Sequence, residues 1–273
     1  MPLTKVLVSV KTYPTLSTKY DELVCTAGFL EDGSWIRIYP VPFRQKEKDQ
    51  QYKKYDWIEL NLIRNRSDFR PETYKPHPIS TEIKIVGHIT PDNFWQERKN
   101  VVLKNVYTNI SDLIADAKDK NICRSLAVFK PKKITNFKFE KVAANWNPKK
   151  LAIVKAGRMQ LGFFERNETP PELIKKLPYK FSYEFIDEEA KKCTLMIEDW
   201  EIGQLYWNCL KRNEGDESKA IEDVKKKYFD DHALTKDIHL FLGSTREFHN
   251  IAPNPFIIVG TFYPGINKQE SLF

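Results

Sequence analysis

Residues 23–41 read as a β-hairpin before anything else in the chain is considered. Two apolar runs of strand length, 23–30 and 35–41, flank Glu31-Asp32-Gly33-Ser34, which puts Asp-Gly at the centre of the turn. Strand-like runs recur on both sides: residues 5–11 alternate, and 57–63 and 82–89 follow. Between the last two, residues 67–78 contain Pro71, Pro76 and Pro78, which predicts an irregular loop. Short strands punctuated by Gly and Pro turns close into a small barrel, whereas a doubly wound sheet would need helices between them.

Further along, the pattern mixes. Helices are expected at 93–103 and at 111–120, the second capped by Asn109 or Ser111. Residues 126–142 read as two strands broken at Pro131, 145–150 as a loop, and 151–155 with 159–164 as paired strands. After Thr169-Pro170-Pro171 comes a hairpin, 179–186 and 192–197, around Asp187-Glu188-Glu189-Ala190. Asp199 opens a helix to about Arg212, and Ile221, Val224 and Tyr228 give 218–229 one apolar helical face. Strands at 238–242 and 256–262 close the chain before a polar tail. The fold class expected is α+β: one or more β-rich OB-like barrels with an appended α+β part. The expected division is 1–165 basic and β-rich, 166–265 acidic and α+β, and 266–273 a flexible tail.

Composition supports a folded protein, with 41% hydrophobic and 13% aromatic residues among 273. Cys25, Cys123, Cys193 and Cys209 form no CxxC pair, which signals neither a disulfide framework nor a zinc knuckle. The N-terminus lacks a secretory pattern, and no run approaches the roughly 20 apolar residues that cross a bilayer, so a cytoplasmic protein without a membrane partner is expected. Residues 1–160 hold 29 Lys and Arg against 17 Asp and Glu, and 161–273 hold 15 against 20. A positive field in the first part favours a polyanion through counterion release.

Within the hairpin, alternation puts Trp35, Arg37 and Tyr39 on one strand face, either as a platform on which unpaired bases stack or as the lining of a barrel. Lys11, Arg44, Arg64, Arg66, Arg70, Lys130, Lys132 and Lys133 are candidates for phosphate contacts. Four carboxylates, Asp187, Glu198, Asp199 and Glu201, lie near one helix start, where they could converge on Mg²⁺ or simply cap and face water. His239 and His249 flank Gly243-Ser244-Thr245-Arg246, which has neither the Gly density of a P-loop nor a GxSxG elbow, and His239 reads as strand surface.

The strand Cys25-Thr26-Ala27-Gly28 followed by Trp35-Ile36-Arg37-Ile38-Tyr39-Pro40 resembles the opening of bacterial proteins described as dual OB-containing, over about the first 45 residues. The last five residues, Gln269-Glu270-Ser271-Leu272-Phe273, resemble the bacterial sliding-clamp-binding pentapeptide: Gln269, Ser271, Leu272 and Phe273 match, and Glu270 falls at its variable second place. In such a peptide the Leu-Phe pair fills an apolar pocket and Gln offers an orienting amide. The expected function is therefore a DNA-associated binding protein, with single-stranded DNA among its candidate partners, recruited to replication or repair sites by a clamp-binding tail. The alternatives are a Mg²⁺-dependent DNA-acting enzyme, a nuclease or base modifier of a mobile-element or defence system, and an RNA-binding module. No cofactor is expected outside the enzyme alternative.

Overall fold

A computed structural model describes residues 3–164 and 172–266. The first unit holds β1 (Leu3–Lys11), β2 (Thr15–Ser17), β3 (Asp21–Phe29), β4 (Trp35–Val41), β5 (Asp56–Arg64), β6 (Thr73–Pro76) and β7 (Lys84–His88). β1 pairs with both β3 and β5, β3 with β4, β4 with β6 in parallel, and β6 with β5, so the sheet closes on itself. Numbered by the five closing strands, the circuit runs 1-2-3-5-4-1 with the third and fifth parallel, the strand order of an OB barrel. β2 extends β3, and β7 extends β5 as an edge. The hairpin forms in the expected place, with Phe29 opposite Trp35. The proline-rich loop is a loop only in part: it contains β6, the strand that closes the barrel.

Val6, Val8, Val24, Ile36, Ile38, Ile58 and Leu60 fill the barrel. Their alternates on the same strands, Leu7, Val10, Ala27 and Phe29, are equally buried because they face a second sheet. At Gly28 a Cβ would lie 1.9 Å from the Leu7 carbonyl oxygen, so only glycine lets β1 and β3 approach this closely.

The second sheet contains β8 (Val106–Tyr107), β9 (Leu126–Phe129), β10 (Lys133–Lys141), β11 (Tyr179–Ile186), β12 (Lys192–Ile197), β13 (His239–Ser244) and β14 (Phe256–Phe262), in the order β10-β11-β12-β14-β13-β9-β8. β9 and β10 are separated only by Lys130-Pro131-Lys132, where proline cannot donate to a ladder. Taken as one bent strand they repeat the same circuit, again with the third and fifth strands, β12 and β14, parallel. β8, β9 and β10, grouped by sequence with residues 1–165, hydrogen-bond in this second sheet.

The helices are α1 (Asp92–Val102), α2 (Ile110–Lys118), α3 (Pro148–Phe164), α4 (Trp200–Arg212) and α5 (Glu217–Lys225), the last running into a π-helical segment, Lys226–Ala233. α4 and α5 lie between the third and fourth strands of the second circuit and pack Ile202, Tyr206, Ile221 and Val224 into its core. α1 opens with Asn93, Phe94 and Trp95 all in the left-handed region, at φ 46°, 51° and 63°. The strand pair expected at 151–155 and 159–164 is instead α3. Its start signal is Asn147-Pro148: the Asn147 Oδ1 accepts from the amides of Lys149 and Lys150. Among the described residues no helix is long and apolar enough to cross a membrane.

Candidate nucleic-acid interface at the seam of the two units

The barrel and the second sheet share a core in which Leu7, Ala27, Phe29 and Trp35 meet Leu126, Val128, Phe241 and Val259. The partners of β3 and β4 on this face are therefore side chains of β9, β13 and β14. In OB barrels the second and third strands carry the ligand face, and here those strands are β3 and β4. The second sheet covers most of that face and leaves a cleft on either side of one buried contact.

That contact is Arg37. Its Nη1 donates to Ser125 Oγ at 2.6 Å and to Thr73 Oγ1 at 3.3 Å, and Nη2 donates to the Ser125 carbonyl at 3.0 Å. Glu72 Oε1 lies 3.6 Å from Nη1 and accepts the Ser125 hydroxyl. Arg37 is 2% exposed, so it bolts the units together and offers no donor to a phosphate.

Trp35 and Tyr39 share the Arg37 face, as alternation requires, and diverge in surroundings. Trp35 lies against Phe29 at 4.1 Å and edge-on to Phe241 at 5.7 Å, and it borders a cleft of about 630 Å³ shared with Glu72, Tyr74, Asn105, Tyr107 and Arg124. Tyr39, 36% exposed, borders a cleft of about 300 Å³ with Thr12, Cys25, Arg70, Glu198 and Arg246. Burial raises both the Tyr39 hydroxyl and the Cys25 thiol above their usual ranges.

Most of the proposed phosphate contacts are already engaged. Arg64 donates to the carbonyls of Asn65, Asp68, Arg70 and Thr73, staking down the 65–72 loop. Arg70 pairs with Asp68 and donates to the Ser244 carbonyl, and Arg44 grips both oxygens of Glu22. Lys11 sits 4.1 Å over Phe43 and 4.5 Å over Trp200; burial, helped by Lys54, lowers it to about 8. Lys130 pairs with Asp237 and Lys132 lies 4.0 Å from Glu188. Arg66 and Lys133 are exposed and lack a side-chain partner among the described residues.

The positive excess is more local than halving the chain suggests. Residues 118–158 hold 12 Lys and Arg against 2 Asp and Glu, and this stretch runs from the end of α2 through β9 and β10 into α3. Lys149, Lys150 and Lys155 on α3 are exposed and without a side-chain partner among the described residues. The basic surface thus belongs mainly to the second unit.

The four carboxylates do not converge. Buried Asp187 accepts from the amides of Ile110, Glu189 and Lys191, tying its hairpin turn to the start of α2. Asp199 caps α4 through the Glu201 amide and, with Glu201, holds buried Lys54 at 2.8 Å. Burial raises the Asp199 carboxyl to about 6 against the pull of Lys54. Glu198, open to solvent at one side but sunk in the smaller cleft, is raised by desolvation. Among the described residues no three of His, Cys, Asp and Glu gather as metal ligands.

His239 is buried beside Phe262, not at the strand surface. His249 Nε2 lies 2.9 Å from the Ala117 carbonyl and can only donate there, so its Nδ1 accepts from the Ser244 hydroxyl at 2.6 Å. This pins the 245–252 turn to α2. Ser125, Glu72 and Lys54, central to the seam, sit in no motif; their partners are 35 to 147 residues away, beyond any local pattern. The residues of the clamp-like tail, Gln269, Ser271, Leu272 and Phe273, lie outside the described residues.

Two family profiles match the chain: one described as Domain of unknown function (DUF8758) over residues 2–104, the other as Domain of unknown function (DUF8757) over residues 106–273. No curated protein matches it. The border between the profiles falls between α1 and β8, where the barrel gives way to the second sheet.

Proposed function

Since the chain belongs to the family of the Domain of unknown function (DUF8757), a description that carries no activity, we propose from the geometry that it is a DNA-associated binding protein, recruited to replication or repair sites through its C-terminal clamp-like peptide. The observation that carries the reading is the position of Trp35 and Tyr39. Both stand on the third strand of an OB-order barrel, where such barrels stack bases, and both border open clefts. Lys133 on β10 and Lys149, Lys150 and Lys155 on α3, exposed and without a side-chain partner among the described residues, supply the counterion-releasing surface that a polyanion requires. Modest affinity at the seam and modest affinity in the tail would combine through effective concentration.

Fluorescence anisotropy with single-stranded DNA across a salt series tests the reading. The expected result is salt-sensitive binding, weakened by Trp35→Ala by about 1–3 kcal/mol for a lost stack. Absence of binding at low salt would overturn it. For the tail, calorimetric titration against a bacterial sliding clamp should give heat with the full chain and none after deletion of Gln269 to Phe273.

A further inference from the structure

The larger seam cleft has a more specific chemistry than stacking alone. Four aromatic residues border it, Phe29, Trp35, Tyr74 and Tyr107, and Phe29 lies against one face of Trp35. Glu72 stands at the cleft with its two side-chain contacts, Ser125 Oγ and Arg37, both on Oε1. Its Oε2 has no partner among the described residues. Asn105 is exposed at the rim, and Arg124 is exposed beside Tyr107. The volume, about 630 Å³, lies within the range of pockets for ligands of nucleotide size.

A carboxylate fixed at the side of an aromatic slot selects among bases by their edges. Cytosine and adenine each present one amino donor beside a ring acceptor, and thymine presents one N–H between two carbonyls. Guanine alone offers two adjacent donors, N1–H and the 2-amino group, matched to the two oxygens of a carboxylate. The other bases would set a ring acceptor or a carbonyl against Glu72, and an unmatched polar group in a partly buried site is costly. Arg37 keeps Glu72 in place from behind, and Arg124 stands where a phosphate leaving the slot would meet a cation.

We infer that the cleft between Trp35, Tyr74 and Glu72 is a guanine-selective base site, with Trp35 as the stacking surface, Glu72 as the acceptor of N1–H and the 2-amino group, and Arg124 as the phosphate contact. The inference rests on the seam being the nucleic-acid interface, and it names the base that enters. Free guanine nucleotide and an unpaired guanine within a strand share this chemistry.

The test is calorimetric titration of the full chain with GMP, IMP and AMP, where IMP differs from GMP only in lacking the 2-amino group. GMP should bind at least about tenfold more tightly than either. In Glu72→Gln, whose amide cannot accept both donors, the GMP to IMP ratio should collapse toward one. Because a ratio is read, general weakening of the fold does not imitate the effect, and the wild-type comparison stands if the variant fails to fold. A parallel arm compares oligo-dT with the same strand carrying one central guanine. A gain for the guanine strand identifies the base in DNA as occupant; selectivity confined to mononucleotides identifies free nucleotide. Equal affinity for GMP, IMP and AMP, or a ratio unchanged in Glu72→Gln, overturns the site. Salt-sensitive strand binding without base selectivity would sink this inference alone, and guanine selectivity without strand binding would sink the DNA reading alone.

Discussion

The two units repeat one strand circuit and use its outer face in opposite ways. In the first, β3 and β4 turn Ala27, Phe29 and Trp35 onto the neighbouring sheet, and only the clefts beside Arg37 stay open. In the second, the corresponding strands β11 and β12 leave Lys180, Ser182, Glu184 and Thr194 unburied, and Glu184 is occupied by Lys138 at 2.7 Å. Identical topology therefore predicts neither where a ligand could bind nor with what sign of charge. What decides is the residue at each outward position and what packs on it.

The comparison is broken most severely at its bolt. Arg37→Ala strands Glu72 and Ser125 in the seam, and losing one partner of a buried pair costs about 3–5 kcal/mol. Differential scanning calorimetry should show a lower melting temperature and a single transition splitting into two, the barrel unfolding apart from the second sheet. A single unsplit transition would mean that the apolar contacts alone couple the units.

Acid should separate them next. His232 and His239 both lie in the second unit, and burial depresses each to about 4. A base depressed in the fold contributes stability above its unfolded value, near 6.5, and loses it as pH falls from there through about 4, because the unfolded chain takes the proton first. The loss is on the order of 3 kcal/mol per histidine. Hydrogen exchange should open the second unit before the barrel between pH 6.5 and 4, and His232→Gln with His239→Gln should flatten that response.

Three smaller effects sharpen the contrast. Replacing Lys149, Lys150 and Lys155 with alanine should flatten the salt dependence of DNA binding by up to about 0.7 unit per phosphate contact removed. Arg64→Ala should leave that slope unchanged and loosen the 65–72 loop instead, since its donors are spent on carbonyls. Smallest is Lys138→Ala: it breaks a solvent-screened pair with Glu184, and a change below about 1 kcal/mol in denaturant titration is expected.

Much of this architecture is legible in the sequence where the signal is local. Asp-Gly fixes the hairpin, Pro131 marks the bend between β9 and β10, and Asp199 caps α4 as its position suggests. α3 is missed although Asn147-Pro148 announces it, because the apolar runs at 151–155 and 159–164 are each no longer than a strand. The seam is illegible for a different reason. Residues 6–10 of β1 are buried on both faces, and a run with two apolar faces does not say which partner covers the second. Arg37 likewise reads equally as part of a stacking face or of a barrel lining, and nothing near it in sequence points to Ser125, 88 residues on, which encloses it.

The seam also bears on how the protein is made. The barrel strands are complete by residue 76, yet the side chains that cover Phe29 and Trp35 include Phe241, and the acids that neutralise buried Lys54 are residues 199 and 201. At a translation rate of about 5–20 residues per second, that gap lasts on the order of ten seconds on the ribosome. During it the nascent barrel displays an apolar stripe and an uncompensated cation. The order of synthesis leaves the first unit waiting for the second, so a chain interrupted between the two family profiles should be a client for chaperones.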